Sequence, residues 1–175
     1  MSFSPDLYAR TLAFAARCHA DQKTPLGHPY VVHLSCVCME LIRALEAEPE
    51  RDANLGITCA LLHDVLEDTP ASREELEKEF GPDVTAGVLA LSKDPRLPRG
   101  EQMADSLRRI ALQPPEVAMV KLADRITNLD VPPPQWPAEK VSKDRVEAEE
   151  ILRALGEASA FLSVRFRERL AAYPR

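Results

Sequence analysis

Aromatic side chains make up only 5% of the 175 residues, and glycine accounts for only 6 of them. That is too little for a sandwich or barrel, whose strands want aromatic and β-branched residues and whose turns want glycine. An apolar run long enough to span a bilayer is missing. The N-terminal MSFSPDLYARTLAF also lacks the basic-then-apolar layout of a signal peptide. Positive charge is short as well: 22 Lys and Arg against 28 Asp and Glu leave a formal net charge of -6. Binding nucleic acid or an anionic membrane through global charge is therefore not expected. A small anion can still bind where a local basic pocket or a metal ion overrides the net field. Zinc-type Cys-x-x-Cys pairs are lacking among Cys18, Cys36, Cys38 and Cys59, which are expected as buried free thiols in a reducing cytoplasm.

Ala, Leu and Glu set the character of the chain, and that mixture favours helices. With 45% hydrophobic residues a core can be built, and at about 150 residues per domain the length predicts one domain over 1–175. Proline marks the turns. Helices are expected at Pro5 to His19, Tyr30 to Ala47, Asp52 to Glu67, Ser72 to Phe80, Val84 to Leu91, Glu101 to Leu112, Pro115 to Leu129, Glu139 to Leu155 and Ala158 to Ala172. Ser72 with Glu75 three residues on is a capping-box pattern. DQKTPLGHP, residues 21–29, reads as a loop, and VPPPQWP, residues 131–137, as a polyproline II connector to the closing helices of 138–173. No strand pattern appears. The fold class is all-α, a bundle of eight or nine helices.

The sharpest feature is ALLHDVLEDT, residues 60–69, where four ionisable residues interrupt an apolar helix. On a helix His63 and Glu67 are four apart, Asp64 and Asp68 four, and Asp64 and Glu67 three, so they share a surface. His63 and Asp64 diverge by about 100° around the axis, yet both can reach a cation held off that edge. Glu67 and Asp68 then lie roughly 6 Å further along, at 1.5 Å per residue. At that distance carboxylates can orient and deprotonate a water without occupying the cation's place. His33 sits in the apolar stretch YVVHLSCV. Asp124 is flanked by Leu122, Ile126 and Leu129 at core spacing, and a buried Asp needs a cation or hydrogen bonds.

Two histidines and two carboxylates from three helices can jointly satisfy one divalent metal and leave positions open for a reactant. The lack of thiolates favours Mn²⁺, Fe²⁺ or Mg²⁺ over structural zinc. Hydrolysis of a phosphate ester or anhydride is the natural use of such a centre.

His33, His63-Asp64 and Asp124 together resemble the H…HD…D pattern of the HD superfamily of metal-dependent phosphohydrolases. More narrowly, PYVVH, ALLHDVLEDT, FGPDV and VKLADRITNL resemble the hydrolase domain of RelA/SpoT homologues, over about Leu7 to Leu129. The chain length fits a stand-alone small alarmone hydrolase. The resemblance implies an all-helical fold, Mn²⁺, and removal of the 3′-pyrophosphate from alarmones such as (p)ppGpp. It makes His33, His63, Asp64 and Asp124 the metal ligands, and Glu67 and Asp68 the acidic pair acting on the attacking water. It implies substrate contacts by Asn128, to the sugar, and by Lys23, in the loop where the family carries an Arg-Lys pair.

The chain departs from that family at three places. Gln22-Lys23-Thr24 lacks the base-stacking arginine, Leu34 stands where a proline follows the histidine, and Leu129-Asp130-Val131 replaces Met-Arg-Thr. These changes leave the metal chemistry alone and open (p)ppApp as an alternative to (p)ppGpp. Two other readings stand beside this one: another HD-type nucleotidase or phosphodiesterase, and a non-catalytic helical module clamped by its metal.

Lesser features divide between roles. Lys93, Arg96 and Arg99 form a basic loop that either holds substrate phosphates or is merely solvated. Lys121, Arg125 and Arg17 are expected in surface ion pairs, and His19 and His28 as structural residues. Trp136 is expected to pin the proline-rich connector rather than to cover the pocket.

Overall fold

In the computed structural model, which describes residues 2–174, nine helices lie where the periodicity puts them, the third broken in two. They run α1 (Pro5–His19), α2 (Tyr30–Ala47), α3 (Ala53–Leu62) and α4 (Val65–Asp68), the last two being the halves of the broken helix. Then follow α5 (Arg73–Phe80), α6 (Pro82–Leu91), α7 (Arg99–Ile110), α8 (Pro115–Asn128) and α9 (Ala138–Leu155). A 3-10 turn at Gly156–Ala158 leads into α10 (Ala160–Ala172). An isolated β-bridge between Lys23 and Pro29 closes the 20–29 loop. No helix among the described residues is long and apolar enough to cross a membrane.

Local chemistry sets the helix starts. Ser4, Asp52 and Ser159 each accept a hydrogen bond from the backbone N–H three residues on, and Ser72 and Glu75 form the expected capping box. Pro5, Pro82 and Pro115 sit in first turns, where a missing N–H costs nothing. Gly81, at φ +85°, reverses the chain between α5 and α6.

The centre is α3, a helix apolar on nearly every side, flanked by α1, α2 and α8. Helix α6 packs on α3, α7 and α8, and α10 closes the far side against α8, α9 and α2. Leu34, Leu41, Leu61, Leu62, Met119 and Leu122 are fully buried where these elements meet.

Gly87 in α6 sits against Cys59 of α3, and a Cβ there would stand 2.8 Å from Cys59 Sγ and 3.1 Å from Val117 Cγ2. Both neighbours are buried and cannot yield cheaply. Gly87→Ala is therefore expected to cost about 1–3 kcal/mol by overpacking, read by urea unfolding. Gly100→Ala, whose Cβ would meet nothing within 4 Å, should change stability by less than about 0.5 kcal/mol.

Two local expectations need correction. The 131–137 segment is not extended throughout: Trp136 N–H donates to Pro133 carbonyl at 2.9 Å, so the prolines bend into a turn. Among the cysteines all four are free, Cys38 and Cys59 are buried with thiols pushed up to about 12 by that burial, but Cys18 is only half-buried and Cys36 is exposed. Two positions before Cys38, it lies about 200° round the helix and so faces outward.

Candidate active site

The expected continuous helix from Asp52 to Glu67 breaks at His63 and Asp64, and that break builds the site. Asp64 adopts φ -103°, ψ -2°, the sparsely allowed bridge conformation, before the chain re-enters helix at Val65. His63 is thereby left at the end of the buried α3, while Asp64 turns toward a cavity. The first turn of α2 brings in His33, and the last turns of α8 bring in Asp124 and Asn128.

Ligand atoms of His33, His63 and Asp64 all lie within 4.8 Å of one another, and Asp124 Oδ1 stands beside the two imidazoles. His33 Nε2 lies 3.4 Å from Asp124 Oδ1 and 3.9 Å from Asp64 Oδ2. His63 Nε2 lies 2.9 Å from Asp64 Oδ2 and 3.7 Å from Asp124 Oδ1. The two imidazoles and Asp64 are close enough to share one cation, with Asp124 within reach of its histidine side.

The hydrogen bonds indicate the same use. His63 Nδ1 stands 2.8 Å from Ala60 carbonyl, an acceptor only, so that nitrogen carries a proton and Nε2 is the ring atom left to ligate a cation, which would displace its proton. Nε2 is buried, with Asp64 Oδ2, 2.9 Å away, nearer to it than Asp124 Oδ1. Tyr30 donates its hydroxyl to Asp64 Oδ2, Asn128 Nδ2 donates to Asp124 Oδ1 at 2.7 Å, and Lys121 Nζ donates to Asp124 Oδ2 at 3.1 Å. These contacts orient carboxylates in the way outer partners orient metal ligands. The donor set of imidazole and carboxylate, with the buried Nε2 of His63 among them, fits a divalent metal.

Electrostatics agree. Burial disfavours the charged form of His63, yet the carboxylates of Asp64 and then Asp124 outweigh it and push the imidazole up to about 9. Asp64, against the same penalty, is held at about 2, chiefly by His63. Asp124, only 6% exposed, is held well below the usual carboxylate range against its burial, by Lys121 foremost. Burial and the neighbouring Asp64 drive the Tyr30 phenol well above its usual value. The shifts of His63, Asp64 and Asp124 reflect mutual stabilisation of opposite charges in a poorly solvated place.

Glu67 and Asp68 project from α4 along the cavity wall. Glu67 Oε2 accepts from Lys93 N–H at 2.9 Å and its Oε1 lies 3.6 Å from Lys93 Nζ. Asp68 Oδ2 accepts from Gln22 Nε2 at 2.9 Å. The cavity, about 540 Å³, is within the size of small-molecule sites and is also bordered by Lys23, Asn128, Lys121 and Arg125. Seven of the eight expected site residues border this one recess, and the eighth, His63, touches it through Asp64.

Several neighbours stand elsewhere than expected. Lys121 and Arg125 are not surface pairs: Arg125 is buried and binds Asp144 at 2.5 Å and Glu147 at 3.0 Å, tying α8 to α9. The i to i+3 spacing of Lys121 and Asp124 was the available signal. Arg17 does stay on the surface, over the Phe14 ring. Of the basic loop, Lys93 lines the cavity, whereas Arg96 pairs with Asp94 and its side chain is 88% exposed. Trp136 also borders the cavity, with Lys140 Nζ 3.7 Å over its ring, so it does more than pin the connector. His28 borders the cavity too, and Tyr30 was missed because nothing in the sequence pairs it with Asp64.

Comparison with known proteins gives a consistent picture. The HD domain model matches residues 11–155. The guanosine-3′,5′-bis(diphosphate) 3′-pyrophosphohydrolase MESH1 of Danio rerio is 32% identical over 164 residues, covering 90% of this chain and 89% of that protein. The guanosine-3′,5′-bis(diphosphate) 3′-pyrophosphohydrolase of Aquifex aeolicus is 34% identical over 123 residues, 69% of this chain, but the chain spans only 17% of that longer protein. Among solved structures, a metazoan ortholog of SpoT described as hydrolysing ppGpp superposes with a TM-score of 0.83 at 30% identity, covering 98% of each chain.

Proposed function

Because this chain belongs to the HD domain family, we propose that it removes the 3′-pyrophosphate of a purine nucleotide alarmone, (p)ppGpp or (p)ppApp, releasing pyrophosphate. The observation that carries this reading is the cluster of His33, His63 and Asp64, with Asp124 against both imidazoles, beside Glu67 and Asp68. Those four side chains would hold Mn²⁺. A divalent cation of this kind supplies Lewis acidity, lowering the pKa of water and neutralising phosphoryl charge.

The chain's own residues do the rest. Glu67, its carboxylate fixed by Lys93, takes a proton from the attacking water, and Asp68 orients that water. The water oxygen bonds to the phosphorus attached to the 3′-oxygen, and the bond from that phosphorus to the 3′-oxygen breaks. The 3′-oxygen leaves as the nucleotide hydroxyl with the proton that Glu67 had taken up, and the former water oxygen departs in pyrophosphate. Lys23 and Lys93 provide positive charge at the cavity for the phosphates. Asn128 spends one N–H on Asp124, which leaves its Oδ1 and second N–H for a sugar hydroxyl. The setting that suits such a substrate is the cytoplasm.

A specific observation keeps the adenine alarmone beside the guanine one. The amide of Gln22, in the loop that lacks the arginine, is engaged at both ends, by His19 and by Asp68. It therefore offers no guanine-selective contact. The test is a parallel assay of ppGpp and ppApp with Mn²⁺. Stoichiometric pyrophosphate from at least one, abolished by a chelator and restored by Mn²⁺, is the expected result. Orthophosphate or nucleoside alone, or no turnover of either, would overturn the proposal.

A further inference from the structure

We propose that Gln22, clamped by the buried His19, is a positioning residue that selects the working orientation of Asp68. The inference rests on the reading of Asp68 just given. A carboxylate only accepts, so the Gln22 group facing Asp68 Oδ2 at 2.9 Å must be its amide nitrogen. That leaves Gln22 Oε1 to face His19 Nδ1 at 2.7 Å, and His19 must donate there. The polarity of the whole chain, from His19 to Gln22 to Asp68, is thereby dictated by the carboxylate at its end.

His19 is well placed to hold the clamp still. It is 3% exposed, and its ring stacks on Tyr30 at 4.6 Å between centroids. The Tyr30 hydroxyl in turn binds Asp64, so one aromatic pair underlies both acidic residues. Asp68, by contrast, is exposed at the end of a four-residue helix, and Gln22 is its side-chain hydrogen-bond partner. Without that bond its carboxylate would rotate among several staggered positions.

The loop does not need this side chain for its own shape. Backbone bonds already close it: Gln22 N–H to His19 carbonyl at 2.7 Å, Tyr30 N–H to Gln22 carbonyl at 3.0 Å, and Thr24 N–H to His28 carbonyl at 2.8 Å. The Gln22 amide is thus free to act on Asp68.

A double-mutant cycle tests the proposal, with ppGpp and Mn²⁺ and pyrophosphate release as the readout. Gln22→Ala should lower kcat about tenfold, the loss expected for one hydrogen bond to a charged group, with KM unchanged within about twofold. In an Asp68→Asn background the same change should lower kcat by less than about twofold further. Gln22→Met, which keeps the length without the amide, should match Gln22→Ala and covers the case where the alanine variant fails to fold. Losses that multiply in the double variant, or a loss confined to KM, would overturn the positioning role. If Asp68→Asn alone leaves kcat at the wild-type level, the role given to Asp68 fails instead, and the two failures are told apart by that single variant.

Discussion

Glu67→Gln is expected to lower pyrophosphate release by about 10²–10⁴-fold while leaving the folded protein and its metal content intact. The change removes the proton-accepting charge but almost no volume. Its side chain is 29% exposed, so water can satisfy what Lys93 no longer pairs with. The partner contacts come from a partly exposed lysine and one backbone N–H in the loop after α6, neither of which anchors a core element. Steady-state assay, metal analysis of the purified variant and a thermal melt check the three parts separately. Retained turnover would remove Glu67 from the chemistry. Loss of metal with loss of turnover would make it a ligand, and the division of labour between the four proposed ligands and the α4 pair would be wrong.

Asp124→Ala should behave in the opposite manner, losing metal, turnover and stability together. Lys121, 13% exposed at its side chain, would keep its charge with its main partner gone. Asn128 would lose the acceptor it binds at 2.7 Å, and His33 the carboxylate at 3.4 Å. Breaking one side of a buried pair leaves an uncompensated charge, so about 3–5 kcal/mol of stability should disappear. Urea unfolding in chelator reads that loss apart from any bound metal. Adding Lys121→Met removes the stranded charge, and it should return much of the stability and none of the metal binding. Should the single variant still bind one Mn²⁺ per chain with unaltered affinity, Asp124 is no ligand and the proposed centre is misassigned.

The contrast between these variants follows from where each carboxylate sits. Asp124 lies in a helix packed on both α2 and α3, whereas Glu67 stands at an edge. A stability effect at one and a purely kinetic effect at the other is the pattern of a centre built into the core with its reactive pair on the rim.

Much of this was legible in the one-dimensional chain because the relevant physics is local. Helix limits follow from Ser72 with Glu75, from Pro5, Pro82 and Pro115, and from Gly81, whose preferences act within a few residues. A histidine and an aspartate in apolar surroundings also announce themselves, since such groups are costly unless something compensates them. His33, His63, Asp64 and Asp124 were each legible as candidates for that reason, and the family resemblance joined them into one expected set.

What no local rule predicts is the kink at His63-Asp64, the burial of Arg125, the inward pairing of half-buried Lys121 with Asp124, and the attachment of Gln22 to Asp68. Each depends on which element lies opposite. Residues 22 and 68, or 30 and 64, are joined only when α1, α2 and α3 pack, and side-chain periodicity carries no information about partners that far apart. Composition and spacing by themselves determined an all-helical chain with its polar exceptions marked. Packing alone decided which of those exceptions meet, because a hydrogen bond or a shared cation acts over a few ångströms of space, whatever the separation along the chain.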